Sequence, residues 1–342
     1  MGQNSKIEWT DATWNPVRGC SRVSEGCRNC YAERTAARFA IPGSVEAGNF
    51  VGYVETVNGH PAWTGKVDLI ESKLEEPLRW KKPRRVFVNS MSDLFHESLS
   101  VRQIARVFSV MAEAGQHDYQ ILTKRAERLL VILAEIEAYV REEWERFDGG
   151  RFTWPLPNVW LGVSVEDQVT ADKRIPFLLQ TLAAVRFVSY EPALGPVDFA
   201  RLYGHVSIGG AVDLCVDALR GLYTAAWKGR DSLPDRRLSE RGAGKLDWII
   251  AGGESGPGAR PASPRWFRDV RDQCAGAGVA FFFKQWGEYL GTHIFDPDGV
   301  RVDSGQGYAT AMKRVGKKAA GAMLDGREWR AFPSVTAGNV HG

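Results

Sequence analysis

The sequence predicts an α/β fold: a (β/α) barrel of the TIM type, whole or partial, with insertions at its rim. Two observations lead there. Short apolar, β-branched runs recur along the chain, RVFVNSM at 85–91, YQILT at 119–123, VWLGVSV at 159–165, VRFVSY at 185–190, DWIIA at 247–251 and VAFFF at 279–283. They are continuous, not alternating, as parallel strands buried on both faces are. Polar residues then gather just past the end of each run: Asn89, Ser90, Ser92 and Asp93; Thr123 and Lys124; Ser164 and Glu166; Glu191; Gly252, Gly253 and Glu254; Lys284 and Gln285. Polar clusters at the same end of every strand suit a barrel with one C-terminal mouth, whereas an open doubly wound sheet concentrates its site at one crevice.

In chain order, Thr13–Val17 reads as a first strand, and AERTAARF after Tyr31 as a helix. Val101, Ile104, Ala105, Phe108 and Met111 recur at helical spacing behind a capping Ser100, and Gly115 closes that helix. A second long helix covers Ala126–Phe147 and stops at Gly149-Gly150; a third opens at Ser263 with Pro264 at its first position. The expected count is six to eight strands in one barrel domain spanning 1–342. Residues 201–246 are Gly- and Arg-rich without periodicity, and read as a rim insertion. His293–Thr310 reads as a loop hairpin, with a small helix around Met312–Leu324 inside a C-terminal extension, 311–342.

Composition limits the function classes. The chain has 342 residues, 44% hydrophobic and 25% charged, as an ordinary soluble globular protein does. No apolar run approaches the roughly 20 residues of a membrane span, and the N-terminus lacks the apolar core of a signal peptide. Five cysteines in such a chain fit a reducing cytoplasm and not a disulfide framework. A net charge of +3 is only mildly basic. The basic runs Trp80–Arg85 and Lys313–Lys318, with twelve tryptophans, leave room for contact with DNA or RNA.

The feature that carries most chemistry is Cys20-x6-Cys27-x2-Cys30, in the run GCSRVSEGCRNCY. Three thiolates on one short loop can hold three corners of a [4Fe–4S] cluster and leave the fourth iron open to a ligand. A structural zinc site wants a fourth protein ligand, which here would have to come from a distant residue; the nearest in sequence is His60. Cys274, four residues after Val270 on the apolar side of a helix, reads as a small core residue, and Cys215 carries no pattern.

With this loop at the mouth of a βα barrel, the chain resembles the radical S-adenosylmethionine superfamily. It resembles more closely the phage-associated Gp37/Gp68 proteins, a three-cysteine-motif family of the DUF5131 type. The phrases that carry the resemblance include IEWTDATWNPVRGC, CRNCYAE, VFVNSMSDLFH, ILTKRAERL, VWLGVSVEDQ, VRFVSYEPALGPVD, IIAGGESGPGARP, FFFKQWG and KRVGKKAAG. The superfamily's usual spacing is Cys-x3-Cys-x2-Cys with an aromatic before the last cysteine; here the first gap is six, and the aromatic, Tyr31, follows Cys30. Its Gly-Gly-Glu element normally follows the second strand; here Gly252-Gly253-Glu254 follows a late one.

The resemblance implies an enzyme that binds a [4Fe–4S] cluster on Cys20, Cys27 and Cys30 and cleaves S-adenosyl-L-methionine reductively. Tyr31, Asn89, Ser164, Glu166, Glu191, Gly252, Gly253 and Glu254 are the expected cofactor-binding residues. Lys124, Lys284 and Asp93 are the expected catalytic ones. A flavodoxin- or ferredoxin-like electron donor and a nucleic acid or nucleotide substrate complete the expectation. Two rivals stand beside it: a metal-stapled barrel hydrolase using the mouth carboxylates, and a non-catalytic, zinc-containing nucleic-acid binding protein.

Overall fold

The apolar runs form strands where the sequence places them, because segments buried on both faces have no polar side to turn outward. The computed structural model describes residues 5–41, 49–147, 150–204, 213–226, 236–237, 244–292, 296–305, 307 and 309–334. The chain divides into two compact units, Met1–Val163 and Ser164–Gly342.

In the first unit, β1 (Ala12–Trp14) pairs in parallel with β2 (Arg85–Val88), in the register Ala12↔Val86 to Trp14↔Val88. β2 pairs in parallel with β3 (Asp118–Thr123), and β3 with β4 (Val159–Val165), from Tyr119↔Val159 to Thr123↔Val163. All seven residues of β4 are buried. The crossovers are helical. α1 (Tyr31–Ala40) follows the cysteine loop. α2 (Val101–Glu113) starts from the expected capping box, in which the Ser100 side chain accepts from Gln103 N and the Gln103 side chain from Ser100 N. α3 covers Ala126–Phe147 as expected. A two-stranded ribbon, Val54–Val57 with His60–Trp63, lies beside α1, and Ala32, Ala36, Phe50, Tyr53 and Met91 form their shared core.

In the second unit, α4 (Gln168–Gln180) has an Asp167–Thr170 capping box and carries Pro176 inside it. β5 (Val185–Tyr190), β6 (Trp248–Gly252) and β7 (Ala280–Gln285) pair in parallel. α5 (Pro264–Ala277) joins β6 to β7; Ser263 caps it, and Gly278 ends it at φ +67°. Cys274 on α5 is fully buried, as expected, and burial pushes its thiol up to about 12. Within each unit the parallel strands follow one another in chain order. A doubly wound sheet would reverse its strand order at a switch point.

Two expectations are corrected. The stretch 201–246 is not irregular throughout: Leu202–Gly204, Asp213–Asp217, Leu222–Ala226 and Arg236–Arg237 form an antiparallel sheet, and Cys215 lies in its second strand. Its hairpin is set by Asp217, whose Oδ1 accepts from Leu219 N and Arg220 N, and by Gly221 at φ +67°. Residues 205–212, 227–235 and 238–243 of that stretch lie outside the described residues. The helix expected around Met312–Leu324 is instead the strand Ala309–Arg314, then a short helix, Lys317–Ala320. Gly316 at φ +86° and Gly321 at φ +70° bound that helix on both sides. The expected hairpin is present, with Val300–Asp303 pairing Ala309–Arg314; residues 293–295, 306 and 308 lie outside the described ones.

Candidate metal and cofactor site

The cysteine loop leaves the C-terminal end of β1 and is tied down from several directions. Val17–Arg18 pairs with Asp68–Leu69, and Gly19 bridges to Ser92. Cys27 ends a turn of 3-10 helix, Glu25–Cys27, and Cys30 is the residue that caps α1. All three cysteines are half-buried. Tyr31, the first residue of α1, is half exposed, and its hydroxyl donates to the Ser90 carbonyl.

Two arginine forks hold the loop. Arg22 donates from Nε and Nη2 to the buried Glu33 carboxylate on α1, at 2.8 and 2.7 Å. Arg125, buried just past β3, donates from Nε to Glu97 (2.8 and 3.0 Å), from Nη1 to Asp93 Oδ2 (3.0 Å) and from Nη2 to Ser21 Oγ (2.7 Å). Asp93 is the hub behind Arg125. Its Oδ1 accepts from Phe95 N (3.0 Å) and Thr123 Oγ1 (2.7 Å), and its Oδ2 also from Lys124 N (3.1 Å). Asp93 and Lys124 therefore do meet, though through the Lys124 backbone.

Electrostatics follow from this packing. Burial pushes the Cys20 thiol up to about 12; the Asp93 carboxylate adds to that, and Arg125 opposes it. Burial also raises Cys30, against the N–H groups of Glu33 and Ala32 at the start of α1. Metal-free, these two cysteines are thiols at neutral pH, and a bound cation would displace their protons. His96 is lowered by burial and then by Arg125, so its ring is neutral.

Asn89 directly follows β2 at φ +61°, a conformation few non-glycine residues adopt. Its Oδ1 accepts from Val17 N (3.2 Å), while its Nδ2 is buried without a partner among the described residues. Gly19 is required by packing as well as by its φ of +86°: a Cβ there would lie 1.9 Å from the Lys66 carbonyl oxygen. Gly19→Ala is expected to cost about 1–3 kcal/mol in backbone strain alone, with the overlap added. Gly52→Ala is the control, because Gly52 has φ +81° and open space around its Cβ. A chemical denaturation comparison in which both variants lose the same stability would remove the packing argument.

In the second unit, the polar residues past the strand ends are paired. Glu166, 1% exposed, is held by Arg174 Nη1 at 2.9 and 3.2 Å, and Arg174 also donates to the Ser164 carbonyl at 2.7 Å. Glu254 accepts from Arg260 N, Nε and Nη2 at 2.7–2.9 Å. Glu191 Oε2 takes Lys284 Nζ at 2.7 Å, while its Oε1 is buried without a partner among the described residues and faces Gly252. Gly253 is packed against the Trp286 carbonyl, 2.0 Å from where a Cβ would stand. Glu166 and Glu254 are thus each ion-paired to an arginine that the sequence spacing does not single out.

Among the described residues, no group of three or more His, Cys, Asp or Glu side chains is arranged to hold a metal ion. The donor set nevertheless fits an iron–sulfur cluster in kind: three half-buried cysteines on one anchored loop, close enough for Cys27 and Cys30 each to raise the Cys20 thiol. Binding would draw these sulfurs together. Sequence reading missed Ser21, His96 and Arg125. The ILTKRAERL phrase contained Arg125, but nothing in its spacing tied it to a residue 104 positions earlier.

No curated protein and no solved structure matches the chain significantly. A family model does, over residues 4–333, nearly the whole chain. The chain belongs to the DUF5131 family, described as proteins of unknown function.

Proposed function

We propose that this protein is a radical S-adenosylmethionine enzyme with the (β/α) barrel of that superfamily, akin to the phage Gp37/Gp68 proteins, and that Cys20, Cys27 and Cys30 hold its [4Fe–4S] cluster. The observation that carries the reading is the three-cysteine loop fixed at the C-terminal ends of β1, β2 and β3, where barrel enzymes build their sites. When bound, such a cluster supplies an electron that breaks a sulfur–carbon bond of S-adenosylmethionine. The chain's own part is to bind, orient and exclude water. Asn89 Nδ2, buried without a partner among the described residues, would donate to a carboxylate or ribose oxygen of the cofactor.

Nucleic acid is the substrate class we favour, with an electron carrier as second partner. Lys81 and Lys82 are exposed, and Arg84 lies 5.7 Å over the Trp80 ring. The C-terminal run contributes less than its sequence promises, because Lys313 pairs with Asp296 and Asp298, and Arg314 with Glu288.

One observation favours a second reading, a structural zinc site. His96 Nε2 stands 2.8 Å from Ser21 Oγ, beside Cys20, and could close a Cys3His set. The test is product formation. Reconstituted anaerobically and given strong reductant, the protein should release 5′-deoxyadenosine, and Asn89→Ala should weaken S-adenosylmethionine binding about tenfold, the worth of one lost hydrogen bond to a charged group. A protein with a full cluster that neither binds the cofactor nor forms this product would end the radical reading.

A further inference from the structure

We infer that Arg125 is a positioning residue for the cysteine loop: its fork clamps Ser21, and with it Cys20, to the end of β3 and holds a buried positive charge near Cys20. The inference deepens the iron–sulfur reading and rests on it for its metal-facing half; the clamp itself does not depend on which metal binds.

The geometry is specific. Arg125 is 7% exposed, and each of its three guanidinium nitrogens has a different task. Nη1 meets the buried Asp93, Nε the exposed Glu97, and Nη2 both Ser21 Oγ at 2.7 Å and the Ser21 carbonyl at 3.4 Å. Asp93 in turn is fixed by Thr123 and by the backbone N–H groups of Phe95 and Lys124, so the clamp is anchored to β3 and to the turn after β2. A lysine could not replace it, because one ammonium cannot reach three partners lying in one plane.

A second consequence concerns the Ser21 hydroxyl. His96 Nδ1 accepts from Ser98 N at 3.2 Å, so the neutral ring carries its proton on Nε2 and donates it to Ser21 Oγ. Arg125 donates to the same oxygen. Both lone pairs of that oxygen are then used, and its own proton is left for an acceptor outside this pair. At a loop carrying three sulfurs, a thiolate or a cluster sulfide is the acceptor class it suits. The charge acts in the same direction, since a set of thiolates around a cluster is anionic and Arg125 is a buried cation near Cys20.

The experiment compares the full-length parent with Arg125→Gln, Arg125→Lys and Ser21→Ala. Ser21→Ala releases the loop while leaving the buried Asp93–Arg125 pair intact, so it stands in if either Arg125 variant fails to fold. In metal-free protein, the rate at which Cys20 is alkylated by iodoacetamide, followed by peptide mass spectrometry, reads the clamp alone. It should rise about tenfold in Ser21→Ala, the effect of one lost hydrogen bond to a charged group, and by less in Arg125→Gln, which frees the loop but also removes the cation that favours the Cys20 thiolate. After anaerobic reconstitution, both should lose iron to a chelator about 10–100-fold faster, as outer-shell changes do, and Arg125→Gln should lower the cluster's midpoint potential. Arg125→Lys should restore the potential but not the alkylation rate. Unchanged alkylation in both Arg125→Gln and Ser21→Ala would overturn the clamp. A parent that takes up no iron, yet shows the alkylation difference, would overturn the iron–sulfur reading and leave the clamp standing.

Discussion

Replacing Arg174 by Met is expected to lower the unfolding free energy by about 3–5 kcal/mol, because it leaves a buried carboxylate without its cation. Glu166 is 1% exposed, and Arg174 Nη1 reaches both of its oxygens as well as the Ser164 carbonyl. Arg174 is itself 4% exposed, so neither charge can turn to water. For a unit of this size the loss corresponds to a fall in melting temperature of about 10 °C. The double change Glu166→Leu with Arg174→Met should cost much less, since removing both charges removes the desolvation penalty with the attraction. A differential scanning calorimetry series in which the double variant is as weak as the single one would show that the pair matters through packing and not through its charges.

The second large effect belongs to Asp93. Asp93→Ala removes an acceptor of four hydrogen bonds and strands the Arg125 charge in the interior, with an expected loss of about 3–5 kcal/mol. Asp93→Asn should do almost as badly despite its matching shape. Whichever way its amide turns, an NH2 group must face either Arg125 Nη1 and Lys124 N or the Phe95 N–H and Thr123 hydroxyl. The two variants differ at the sulfurs from the parent in the same sense, since each removes the carboxylate that raises the Cys20 thiol. Both should therefore unfold at lower denaturant concentration, and in native buffer both should ionise Cys20 at lower pH, read as the ultraviolet absorbance of the thiolate. Parent-like denaturation midpoints in both would contradict the hub role.

Much of the fold was legible because its signals are local. A strand buried on both faces must be continuously apolar, and β4 and β5 match their sequence runs residue for residue. Ser100 and Ser263 announced their helices by side-chain chemistry acting within three residues. α4 was not singled out, because Pro176 interrupts the pattern that its Asp167–Thr170 box begins. The small sheet inside 201–246 has strands of only two to five residues, too short for periodicity to register.

The site was legible only in its donors. Three cysteines in eleven residues are visible to anyone counting, and Asp93 and Asn89 were found as polar residues past a strand end. What the sequence could not show is pairing across long separations. Arg125 meets Ser21 across 104 positions, and Lys284 meets Glu191 across 93. Glu166 and Glu254 looked like open carboxylates because their arginines, eight and six residues further on, sit at spacings that no helix or strand rule connects. Position past a strand end thus does not tell which partner a carboxylate takes.

The central claim is that Cys20, Cys27 and Cys30 together hold an iron–sulfur cluster. Anaerobic purification followed by iron, sulfide and zinc analysis tests it most directly, on the parent and on the variant with all three cysteines changed to Ala. The account predicts about four iron and four sulfide per parent chain, as a [4Fe–4S] cluster contains, and neither in the triple variant. One zinc per chain without iron, or full iron content in the triple variant, would contradict it.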